Sequence, residues 1–213
     1  PELLALNMAE VREQGRRGLM GMQMTAVCVE VRVPGKKKTE KAYRLPTDDE
    51  LSAAEVPVED IEAVFEGIPF GVPDEDTPVG GGRKASRAFA VQKYGLMKWR
   101  DYFTSRQLLA AGCFVKHTRA AITRLREADA DNAEALAAYL AVVFTKAVDY
   151  MSVGCRWRDD HQKVVGTIAG YKLPMVLDFA EACPITNSDR LYTAAIRAVS
   201  DAAAAFMRVA AKA

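Results

Sequence analysis

Leu136, Tyr139, Leu140, Val143, Phe144, Ala147, Tyr150 and Met151 each lie three or four residues from another of the set. Residues so spaced share one face of an α-helix, and an apolar face of that width has to be buried against something. The helix is expected to start at Asp131, which precedes Glu134 by the three positions of a capping box. Thr104 and Gln107 repeat that spacing ahead of another helical run, Leu108, Val115, Ile122 and Leu125. Gln162–Glu181 reads as a further helical run, bent or broken at Pro174. Asn187 or Ser188 is expected to cap a last helix with the stripe Tyr192, Ala195, Ile196, Val199, Ala203 and Phe206. Residues 104–213 therefore read as a helical bundle.

The first half reads differently. Pro1–Arg17 is amphipathic and expected to be a short helix. Thr25–Val33 alternates and is rich in β-branched residues, so a strand is expected, returning after the turn PGKKK through Thr39–Leu45 as a hairpin. Thr47 and Glu50 form a capping box for a short helix around Asp48–Ala54, and Val58–Phe65 is expected to form another. Gly67–Gly82 holds five glycines and three prolines and reads as a loop, with one more strand expected over Arg87–Gln92. The expected class is α+β and predominantly helical. A small mixed N-terminal lobe with the hairpin and an acidic linker (1–82) would lie on a helical domain (83–213), the C-terminal bundle.

Bulk properties exclude several classes. A chain of 213 residues can bury a sizeable core. The four cysteines, Cys28, Cys113, Cys155 and Cys183, lie far apart without a C-x-x-C pair, which argues against a zinc ribbon or a disulfide framework. Reduced thiols in a cytoplasmic protein are expected. No apolar run approaches the roughly 18 residues of a membrane span, and the N-terminus does not resemble a signal peptide. A chain opening on proline reads as either an engineered expression product or a fragment.

The net charge of +1 names no partner, but the distribution of charge is uneven. Leu45 to Asp76 contains eleven acidic residues and no Lys or Arg; Arg83 to Arg106 contains seven Lys or Arg and one acid, Asp101. Such blocks form solvated faces or linkers. The basic block also interleaves aromatics, in YGLMKWRDYFTSRQLLA (94–110), and such a segment can track a phosphate backbone and stack on bases. The competing reading makes Trp99, Tyr102 and Phe103 a hydrophobic staple around the Thr104 cap, with Phe103 buried near Leu108 and the charges outside. Trp157, between Arg156 and Arg158, has the same two readings, surface stacking or a phosphate-and-base contact. Lys36, Lys37 and Lys38 form a basic hairpin tip, solvated or resting on phosphate.

Other candidates are weaker. Gly80, Gly81 and Gly82 lack the preceding strand and following helix of a phosphate cradle and read as loop. Cys113 and His117 stand one helical turn apart, but nothing nearby completes a zinc site, an orienting group or an oxyanion hole. His161 follows two aspartates and reads as a helix-start residue. No acid–base constellation survives, so no catalytic residue and no metal ligand is expected.

Three segments, KAYRLPTDDEL (41–51), YGLMKWRDYFTSRQLLA (94–110) and VDYMSVGCRWRDDHQKVVGTIAGYKLPMVLDFAEA (148–182), occur in one order and spacing. Together they resemble the central part of the large prokaryotic adenine-specific DNA methylases, the group that contains a zinc ribbon and carries an N-terminal domain of unknown function. The resemblance covers about Thr25 to Ile185. This chain departs from the family pattern at Cys183 and Ile185, where Asn and Phe would flank Pro184, at Leu177 in place of tryptophan, and over Gly170–Lys172. The glycine-rich cofactor loop and the Asp/Asn-Pro-Pro-Tyr element that holds a flipped adenine do not occur in it.

The resemblance implies a middle segment without catalytic residues, working beside a methyltransferase catalytic core whose cofactor is S-adenosylmethionine. No cofactor is implied for this chain. With DNA as partner, Lys98, Arg100, Arg106, Arg156 and Arg158 would be phosphate contacts, and Trp99 and Trp157 stacking or packing residues. The alternative is a scaffolding module that docks the methylase or a defence-system partner, or self-associates, through unpaired apolar helix faces.

Overall fold

Thr104 starts the longest helix. Its hydroxyl accepts from the Gln107 amide while the Gln107 side chain accepts from the Thr104 amide, so two backbone donors are satisfied reciprocally. The computed structural model describes residues 6–36, 39–79, 88–168, 172–185 and 192–210, without the side chains of 206, 207, 209 and 210. Among the described residues the order is α1 (Met8–Arg16), β1 (Val27–Arg32), β2 (Thr39–Arg44), α2 (Asp48–Ala53), α3 (Val58–Phe65), α4 (Ser105–Ala128), α5 (Ala130–Val148), β3 (Arg156–Arg158), β4 (Lys163–Val165) and α6 (Tyr192–Ala210). The chain is α+β. β1 and β2 form an antiparallel hairpin with Val27 opposite Arg44, and β3 pairs antiparallel with β4. Among the described residues no helix is long and apolar enough to cross a membrane.

Two apolar clusters hold these elements. In one, Ile61 and Phe65 of α3 meet Leu108 of α4, with Phe103 packed alongside as the staple geometry requires. Gly112 permits this approach: a Cβ there would lie 2.5 Å from Val64 Cγ1 and 2.7 Å from Phe65 Cε2. In the other, Val91, Tyr102, Val153 and Leu173 are buried with Phe89, Leu96, Trp99 and Phe179 around them. The Tyr102 hydroxyl donates to the Pro174 carbonyl at 2.5 Å, and its carbonyl accepts from the Val153 amide at 3.0 Å. Burial pushes the Tyr102 hydroxyl well above its ordinary pKa, with the Cys155 thiol adding to the shift, so it stays a donor. α4 packs on α5, α5 on α6, α3 on α4, and α1 on a 3-10 turn at Val91–Tyr94. The last two contacts join residues on either side of 82/83.

Three expectations fail, each for a local reason. Gln162–Glu181 is not a helix over its described residues, 162–168 and 172–181. Gln162 takes a left-handed φ of 45°, β4 follows, and the amides of Thr167 and Ile168 are claimed by the Asp149 carbonyl and carboxylate at 2.8 and 2.7 Å. Residues 149–185 thus separate α5 from α6, and the expected run of consecutive helices is interrupted. Arg87–Gln92 is not a strand over its described residues 88–92. Only Phe89 bridges, to Leu173, and the chain then winds into the 3-10 turn closed by Gly95 at φ 87°. The cap of α5 is Asp129 rather than Asp131. Asp129 has the extended backbone a cap needs and accepts from the Asn132 amide at 3.1 Å, while Asp131 lies in the first turn, where its charge favours the helix dipole. The expected cap at Asn187 or Ser188, and Gly80, Gly81, Gly82, Lys37 and Lys38, lie outside the described residues.

Candidate functional site

The basic block and the acidic block are each other's partner. Residues 73–77 run alongside 97–100 as an irregular antiparallel ladder. The Thr77 amide donates to Met97 O at 2.8 Å, Trp99 to Glu75 O at 3.0 Å and Arg100 to Pro73 O at 2.9 Å. Asp76 bridges Lys98 through the backbone, and their side chains pair at 2.8 Å; Arg100 Nη2 lies 2.9 Å from Asp74 Oδ1. The hydrogen bond that it donates to Asp76 holds the Lys98 ammonium above its ordinary pKa. Buried Thr77 locks the ladder, its hydroxyl donating to Leu96 O at 2.8 Å. Trp99, between the two cations, turns inward against the core of Val91 and Tyr102. It is a packing residue here.

Arg106 faces elsewhere. Its Nε and Nη2 clasp both oxygens of Glu181 at 2.9 and 2.8 Å, and Nη1 donates to Ala54 O at 2.7 Å. This ties the start of α4 to the end of α2 and to the segment before α6.

Strand alternation separates the second triplet. Arg156 and Arg158 are exposed on one side of β3, and Trp157 is half-buried on the other. Trp157 meets Tyr43 of β2 edge-on at 6.0 Å, and Lys41 Nζ sits 5.1 Å over the indole while also donating to Gln162 O. Arg158 is held by Asp160 at 2.7 and 2.8 Å, which lowers the Asp160 pKa. Of the five cations, only Arg156 has no ion pair among the described residues. Lys98, Trp99 and Arg100 share one ladder, Trp157 joins the two hairpins, and Arg106 serves a third junction.

His161 is exposed beside Asp160 at 3.5 Å, His117 is exposed, and Cys113 is half-buried. No group of three or more His, Cys, Asp or Glu side chains that could hold a metal occurs among the described residues. A buried polar knot escaped sequence reasoning. Ser152 and Thr167 hydroxyls bond each other, and Cys155 Sγ lies 3.4 Å from Thr167 Oγ1 and donates to Asp149 O at 3.5 Å. Gly154 completes the knot at a point where a Cβ would meet the Tyr102 hydroxyl at 2.1 Å. Cys155 is fully buried, so the knot fixes the approach to β3 and offers no nucleophile to solvent. No spacing rule joins a Ser, a Cys and a Thr from 152 to 167. No protein-family model, curated protein or solved structure matches this chain.

Proposed function

We propose that this chain is a non-catalytic segment of an S-adenosylmethionine-dependent adenine-specific DNA methyltransferase, and that it seats on the catalytic core through apolar surface. The observation that carries this reading is uncovered surface. Phe70 is 97 % exposed on a left-handed backbone, φ 72°, which an aromatic residue adopts only at a cost. An aromatic held out in this way suits the anchor of an interface. Leu45, Val79 and Ile185 are also more than 70 % exposed. In this reading the α4–α6 layer is the bundle that supports the docking surface.

The test is co-expression with the separately produced catalytic domain of the parent methylase. Co-elution in size exclusion, lost on Phe70→Ser and retained in Lys98→Glu/Arg100→Glu, is the expected outcome. A chain that elutes alone would end this reading.

A second reading, DNA positioning, is favoured by the exposed Arg156 beside Lys163 and Arg158, which face each other across β3 and β4. Lys98 and Arg100 would contribute once freed of their carboxylates. In this reading duplex affinity falls steeply with salt and is weakened in Lys98→Glu/Arg100→Glu.

A further inference from the structure

We propose that residues 73–77 are an acidic strap whose Asp74 and Asp76 carboxylates occupy the phosphate-binding positions of Arg100 and Lys98 and swing away from them, on an unmoved backbone, when nucleic acid binds. The inference rests on the DNA-positioning reading and adds its regulation. In an extended segment, residues two apart share a side and stand roughly 6.5 Å from each other. Asp74 and Asp76 have that spacing, and they meet cations that are also two residues apart. The strap thus presents paired anions along an extended backbone, the pattern a nucleic-acid strand presents with successive phosphates.

The two kinds of contact in the strap differ in strength. The backbone ladder and the buried Thr77 hold its course. The ion pairs lie at the surface: the Asp74 and Asp76 side chains are 59 % and 78 % exposed, and Arg100 and Lys98 are 49 % and 38 % exposed. Exposed pairs of this kind stabilise little. A polyanion gains from counterion release at each phosphate that it brings to a cation, and so it competes well for these two. Asp101 does not compete: its Oδ2 is taken by the Met97 and Lys98 amides at 3.0 and 2.8 Å. The strap lowers resting affinity for nucleic acid without unfolding anything.

The experiment is fluorescence anisotropy of a labelled mixed-sequence DNA duplex, and of its single strand, with the parent chain and Asp74→Asn/Asp76→Asn. Neutralising the strap is expected to tighten binding about tenfold and to steepen the log–log salt slope, for two added phosphate contacts, by about 1.8 with the duplex and about 1.4 with the single strand. Asp48→Asn/Asp49→Asn, at exposed positions of α2, makes the same change in net charge and is expected to gain far less. The gain is expected to vanish when Lys98→Glu/Arg100→Glu is added. Should the double strap variant fail to fold, Asp76→Asn carries the same test at half the slope. If the parent chain binds DNA through Lys98 and Arg100 and the strap variant binds no tighter, the strap is overturned and DNA positioning stands. If neither binds, both fall. An equal gain in the α2 control, or a gain that survives charge reversal, also overturns the strap.

Discussion

Lys98-Trp99-Arg100 and Arg156-Trp157-Arg158 are nearly the same tripeptide in two backbones. The first continues into a 3-10 turn, which points its indole into the core and leaves its cations to carboxylates from more than twenty residues away. The second is a strand, which sends its indole to one side and both guanidiniums to the other, and its one ion pair is to Asp160, two residues on. A tryptophan between two cations therefore has no fixed meaning. Backbone form decides whether the ring is core or seam, and sequence distance decides whether the charge is quenched by tertiary structure or by its own loop.

The sharpest way to break this comparison is to remove each ring. Trp99→Ala opens a hole among Val91, Tyr102 and Leu173 and is expected to cost about 3 kcal/mol or more in urea unfolding. Trp157→Ala loses an edge-on aromatic contact and a cation above it, and is expected to cost about 1–2 kcal/mol. Equal losses would mean that the two rings are not core and seam. Arg106 sharpens the contrast from a third position, since its charge is spent wholly on structure. Arg106→Ala is expected to cost about 1–2 kcal/mol, leaving Glu181 and the Ala54 carbonyl without their donor. Arg106→Lys is expected to recover only part of that, because an ammonium cannot make the paired contact.

The smallest effect is in pH dependence, where the triplets should differ in sign. Lys98 is held protonated above its ordinary 10.5, chiefly by Asp76. Its contribution is complete below 10.5 and is lost as pH rises through the folded value, an alkaline limb that Lys98→Met should flatten. Asp160 is held ionised below its ordinary 3.8, chiefly by Arg158. Its contribution is complete above 3.8 and is lost as pH falls through the folded value, an acid limb that Asp160→Asn should flatten. Thermal midpoints of the two variants across pH would separate the limbs, and a swap of limbs would refute the pairing.

What could be read from the sequence follows the range of each interaction. Thr104 with Gln107, and Thr47 with Glu50, announce their helices because both halves of each bond lie three residues apart. Val58–Phe65 and the β1–β2 hairpin are equally local. Gln162–Glu181 misleads because its amides are claimed by Asp149, a partner that helical periodicity cannot see. The charge blocks were plain in the sequence as two separate features. That Asp74 and Asp76 answer Arg100 and Lys98 depends on a loop folding back, which composition does not encode. The burial of Trp99 was open from the start, since a staple and a stacking platform use the same residue types.

Asp129 both ends α4 and begins α5, so one residue is the entire connection between the two longest neighbours of the fold. Such a joint has no slack. One residue added there would turn α5 by about 100°, carrying Ala133, Val143 and Ala147 away from the faces that bury them. Length variation should therefore be poorly tolerated at the tip of this hairpin, the place where most loops accept it.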